Sequence, residues 1–117
     1  MPPTRGPRLL GAPFGGSVVK HIVLWSLKPE APGRSKRENA LLIKERLEAL
    51  VGIVPGLLRA EVGIDFGGTE QSFDIALVAE FESRAALAGY RDHPAHQDVV
   101  TFIREVREDR VAVDYEV

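Results

Sequence analysis

Cysteine is absent from the 117 residues, and methionine and tryptophan occur once each. Without thiols there is no disulfide framework, no cysteine nucleophile and no thiolate metal site, a usage that fits the cytoplasm. Long apolar runs are missing as well, since no window approaches the ~20 residues of a membrane span. Nor does one sign of charge dominate. The 15 basic and 17 acidic residues leave a formal charge of −2, and their interspersion gives no basic stripe of the kind nucleic-acid binding requires. Gly67-Gly68 lacks the lysine and helix start of a phosphate-binding loop, and there is no internal repeat.

What is present suits one ordinary globular domain, with 44% hydrophobic and 27% charged residues. Residues 1–17 hold four prolines and four glycines and lack the continuous apolar stretch of a signal peptide, so they read as a flexible leader. The domain is expected over residues 18–117. It opens with a strand, Val18–Leu27, whose two faces are both mostly apolar, as in a central strand covered on both sides. Ser35 with Glu38 has capping-box spacing and starts a helix expected to reach about Val51, burying Ala40, Ile43, Leu47, Leu50 and Val51. Gly52 and Pro55-Gly56 end it.

Leu58–Asp65 alternates, with Leu58, Ala60, Val62 and Ile64 on one face. A turn at Gly67-Gly68 leads to a strand over Phe73–Phe81, an antiparallel partner. Ser83 caps a short helix over Arg84–Tyr90. From Pro94 a further helix places Val99, Val100, Phe102, Ile103 and Val106 towards a core. The last strand, Arg110–Val117, sets Val111, Val113, Tyr115 and Val117 opposite Ala112, Asp114 and Glu116.

Two β-α-β halves with right-handed crossovers predict an α+β, ferredoxin-like β-α-β-β-α-β fold: a four-stranded antiparallel sheet with helices on one face. The strands are apolar on both sides, so the second face needs a cover. A second copy packed sheet to sheet supplies it, and a homodimer is expected.

Titratable chemistry is concentrated in Gly89–His96, which holds Tyr90 and two of the three histidines around Pro94. Proline disfavours helical backbone in the residue before it and fits the first position of a helix. His93 therefore falls at the N-cap and His96 in the first turn, where the partial positive charge of the helix end favours neutral imidazole. His96 is a candidate base. His21 shares a strand face with Val23 and Trp25, and the alternative for it is a histidine satisfied by backbone at a strand end. A metal on His93 and His96 is disfavoured, because Pro94 separates them and no thiolate is available.

Several of these segments together resemble the stress-responsive dimeric α/β-barrel, or Dabb, family. They are Val19-Lys20-His21-Ile22-Val23 with Trp25, Pro55-Gly56, Glu61-Val62-Gly63, Phe73-Asp74-Ile75-Ala76-Leu77, Glu80-Phe81, Tyr90 with His93-Pro94-Ala95-His96, and Asp114-Tyr115. The resemblance covers about residues 18–116. It implies a dimeric barrel with a pocket between sheet and helices. It also implies, by similarity to plant polyketide-cyclase-like members, a catalytic set of Tyr90, His96 and Asp114, with His21 lining the pocket.

On that basis His96, oriented by Asp114, would remove a proton next to a carbonyl while the Tyr90 hydroxyl stabilises the enolate. Val23, Trp25 and His93 join His21 as expected substrate contacts, the ligand is a small apolar carbonyl compound, and neither metal nor cofactor is expected. Three alternatives remain open. Tyr90, His93 and His96 would form a structural hydrogen-bond cluster with Asp114, or the pocket would bind without turnover. The same dimeric fold also hosts cofactor-independent monooxygenases and lactone isomerases.

Overall fold

The computed structural model describes residues 18–117, so the leader expected over 1–17 lies outside the described residues. In chain order the elements are β1 (Val19–Leu27), α1 (Lys36–Glu48), β2 (Leu57–Ile64), β3 (Ile75–Phe81), α2 (Arg84–Asp92), α3 (Pro94–Val106) and β4 (Arg107–Glu116). The strands form one antiparallel sheet in the order β2-β3-β1-β4. This is the ferredoxin-like arrangement, its second helical unit divided in two.

Each strand fits its place. β1 is central, and its alternation places Val19, Val23, Trp25 and Leu27 in the core with His21 among them. β3 does the same with Ile75, Leu77, Ala79 and Phe81. Ile43 and Leu47 of α1, Leu87 of α2, and Phe102, Ile103 and Val106 of α3 complete that core. The capping box forms, with Ser35 Oγ accepting from Glu38 N–H and the Glu38 carboxylate accepting from Ser35 N–H.

Two expectations are corrected in detail. α1 ends at Glu48, and Val51 is 41% exposed, because the chain turns through Gly52 and buries Val54 instead. Leu58 is exposed as well: the register shifts between Leu57 and Arg59, so Leu57 takes the buried position and Leu58 is the extra residue of the irregularity. Gly56 follows at φ 80°, where a Cβ would lie 2.5 Å from that of Ala86. Glycine there lets α2 close on the sheet.

Among the described residues no element packs over the other face of the sheet. Cross-strand partners share a face, and His21 pairs with Asp114, Val23 with Ala112 and Trp25 with Arg110. β4 therefore turns Arg110, Ala112 and Asp114 towards the helices. It turns Val111, Val113 and Tyr115 away, beside Ile22 and Leu24 of β1. No helix among the described residues is long and apolar enough to cross a membrane.

Candidate functional site

The site is built at the junction of α2 and α3. His93 precedes proline and is held extended at φ −66°, ψ 132°. It serves both helices: its N–H donates to Tyr90 O at 3.2 Å, and its Nδ1 accepts from Ala95 N–H at 3.1 Å. The chain therefore turns sharply enough for Tyr90 and His96 to meet. Their rings stack at 3.9 Å between centroids with 31° between planes. Behind them Phe81 meets Tyr90 edge-on at 4.9 Å, and His21 lies 6.1 Å from Tyr90.

The rings of His21, Tyr90 and His96 border a cavity of about 330 Å³ between sheet and helices, a volume of small-molecule size. Its apolar wall comes from Val23, Trp25, Leu47, Leu77, Val100 and Ile103. His21, Tyr90, His96 and Gln97 supply polar atoms. Arg91, Arg104, Arg107 and Arg110 complete the lining. Of the residues expected from sequence, the cavity brings together His21, Val23, Trp25, Tyr90 and His96. His93 is not among its lining residues, and its Nδ1 is occupied in capping α3.

Asp114 is near the site with a different partner from the one expected. One carboxylate oxygen bonds His21 Nδ1 at 2.5 Å, and the other accepts from Arg91 at 2.7 Å. The orientation of His96 by Asp114 is thereby corrected to an orientation of His21. The reason is strand register, which sets His21 and Asp114 directly opposite each other. The hydrogen-bond cluster joining His96 to Asp114 does not form for the same reason.

His96 Nδ1 is buried with no hydrogen-bond partner among the described residues. The carbonyls of Arg91 and Tyr90 lie close enough to favour a proton on the ring without completing a bond of good geometry. A proton on Nδ1 leaves the Nε2 lone pair as the basic one.

Burial sets the protonation states. It holds the His96 imidazole below its ordinary pKa, with the charges of His21 and Arg110 adding to the effect. Burial also lowers His21, against the opposing hydrogen bond and charge of Asp114. The Tyr90 phenol is pushed well above its ordinary value by burial, only partly offset by Arg110. At neutral pH the cavity thus presents two neutral imidazoles and a protonated phenol, groups suited to accepting a proton and donating a hydrogen bond.

The arginines and Gln97 are the residues missed in the sequence. Their signal was spacing: Arg110 shares strand parity with Asp114, and Gln97, Val100 and Arg104 recur at i, i+3 and i+7 on α3.

A family model described as the stress responsive A/B barrel domain, Dabb, matches residues 19–117. No curated protein matches the chain. A dimeric ferredoxin-like protein of unknown function from Bacteroides fragilis is 33% identical, with 86% of this chain and 96% of that one covered and a TM-score of 0.71. A dimeric ferredoxin-like protein of unknown function from Thermobifida fusca is 24% identical over 94% and 100% of the two chains, with a TM-score of 0.76. The hydroxynitrile lyase of Passiflora edulis is similar in fold, at 19% identity over 87% and 94% and a TM-score of 0.70. With the family model spanning the whole described domain and the fold agreeing, the chain belongs to the stress responsive A/B barrel (Dabb) family.

Proposed function

We propose that the protein is a homodimer whose cavity binds a small apolar carbonyl compound and catalyses enolate chemistry of the aldol, polyketide-cyclase-like kind. One observation carries this reading. Tyr90 and His96 stack at 3.9 Å on the border of a cavity with one apolar wall, and burial favours the proton-accepting state of the imidazole and the proton-donating state of the phenol.

His96 Nε2 takes a proton from the carbon next to the substrate carbonyl. The electron pair of the C–H bond passes to the carbonyl oxygen, which accepts a hydrogen bond from the Tyr90 hydroxyl. In an aldol closure the enolate carbon then attacks a second carbonyl of the same chain, and the new alkoxide takes back the proton held on His96. His21, whose Nδ1–H is held by Asp114, keeps a free Nε2 lone pair and is a second proton acceptor. Nothing is oxidised or reduced, and the residues present suffice for the proton inventory. The fold is compatible with such chemistry, since a Passiflora edulis neighbour is a hydroxynitrile lyase.

The test is solvent-deuterium exchange at the central carbon of 1,3-diketones, followed by proton NMR under anaerobic conditions. Wild type is expected to accelerate exchange. His96→Gln is expected to lose most of the ~10²–10⁴-fold that a positioned base contributes, and Tyr90→Phe to lose a substantial part. Diketone binding with no acceleration of exchange would assign the cavity to binding without turnover. Turnover that appears only when oxygen is admitted would assign it to oxygenation.

A further inference from the structure

The cavity mouth differs from the rest of the molecule in charge. The whole chain is net acidic, with 17 acidic against 15 basic residues. Yet four of the cavity's lining residues are arginines and none is Asp or Glu. Arg91 is committed to Asp114 at 2.7 Å, and Arg107 donates to the Glu108 carbonyl at 3.3 Å. Arg104 and Arg110 pair with no carboxylate among the described residues.

Their placement gives the mouth its character. Arg104 lies in the last turn of α3 and Arg110 on the inner face of β4 opposite Trp25, and both are exposed. The apolar wall beneath them is buried apart from the half-buried Val100. Arg110 stands near the reactive groups as well, its charge bearing on His21, Tyr90 and His96 together.

Unpaired guanidinium groups over an apolar wall match a ligand that is apolar at one end and anionic at the other. The fork of an arginine fits a carboxylate in two parallel hydrogen bonds. We propose that Arg104 and Arg110 form a carboxylate-binding mouth, so that the substrate is a keto acid whose apolar chain enters the cavity while its carboxylate stays at the rim. The substrate class rests on the enolate reading above; the anion site itself does not. Held at the rim, the carboxylate fixes the depth at which the carbonyl meets Tyr90 and His96. The same positive charge favours an enolate and disfavours a second cation on the histidines.

Matched eight-carbon probes test it: octanoate, octanol and octyl phosphate, with 2,4-nonanedione as a neutral dicarbonyl, each titrated into the full-length protein by calorimetry. Octanoate is expected to bind about tenfold or more tighter than octanol, the scale of a charge-assisted hydrogen bond. That advantage is expected to disappear in R104Q/R110Q and to shrink with added salt, while octanol and the diketone bind the variant as they bind wild type. Both arginines are exposed, and thermal melting checks that the variant folds.

Equal affinity for octanoate and octanol, with the diketone bound, would overturn the anion site and leave the carbonyl-binding cavity standing. Octyl phosphate bound tighter than octanoate would overturn the carboxylate assignment. An octanoate advantage unchanged in R104Q/R110Q would overturn the role of these arginines. Octanoate bound as expected while deuterium exchange is not accelerated would keep the anion site and overturn the enolate reading. Binding of none of the probes would overturn both.

Discussion

Tyr90 and His96 show how much a residue's chemistry depends on what surrounds it. The same burial moves both groups away from their charged forms, down for an imidazole and up for a phenol. A group with a depressed basic pKa binds fewer protons folded than unfolded, so protonation favours unfolding. Stability from His21 and His96 is therefore fully present above the unfolded value near 6.5 and declines as pH falls below it. The rate of exchange should follow the same side, level at neutral pH and falling with an inflection below 6.5. An inflection above that value, in rate against pH, would contradict the burial of His96.

Asp114→Asn separates the two histidines further. Asp114 raises the His21 pKa and is not among the influences on His96. Imidazole titration by NMR should therefore show His21 falling further in the variant and His96 nearly unmoved. Equal movement of both would mean that Asp114 serves His96 after all. This pairing was hidden in the sequence, where both aspartate and histidines are visible but register is not. A strand that slides by two residues keeps its inward set and changes every partner. The pair of Tyr90 and His96, by contrast, was legible, because Pro94 fixes the local turn whatever the rest of the chain does.

At the scale of elements, local signals carried furthest where they are stereochemical. The capping box at Ser35 and the proline at the first position of α3 both stand as expected. The expected run of Leu58 with Ala60, Val62 and Ile64 did not, since an added residue in one strand leaves no mark in a hydrophobic pattern. α2 also runs to Asp92, past the Tyr90 expected to end it, because the constraint from Pro94 acts on His93 alone. His93 then caps α3 with its ring. His93→Ala should cost about 1 kcal/mol, the usual scale of an N-cap, and His93→Asn should recover most of it, as read by urea denaturation. Octanoate affinity should be nearly unchanged in His93→Asn, because His93 does not line the cavity. An equal loss of binding in both variants would place His93 back among the ligand contacts.

At the scale of the molecule, the sheet has two faces with separate purposes. The inner face carries the core and the cavity, whereas the outer one exposes Val111 at 48%, Val113 at 53% and Tyr115 at 41%. Both purposes meet on β4, where Val111, Val113 and Tyr115 face out and Arg110 and Asp114 face in. The apolar outer face was legible from alternation, and its cover follows from the need to remove it from water. Neighbours of the same fold from Bacteroides fragilis and Thermobifida fusca are dimeric. A specific interface buries about 800 Å² per partner, an area a four-stranded sheet face can offer. Val113→Asp places a charge at the middle of the exposed apolar strip of β4 and should convert a dimer to a monomer in native mass spectrometry. Val113 does not line the cavity, so the monomer should still bind octanoate. A wild type that is monomeric at micromolar concentration would remove the dimer. A dimer untouched by Val113→Asp would move the interface off this face. Loss of octanoate binding together with the dimer would mean that the partner holds β4, and with it Arg110 and Asp114, in place.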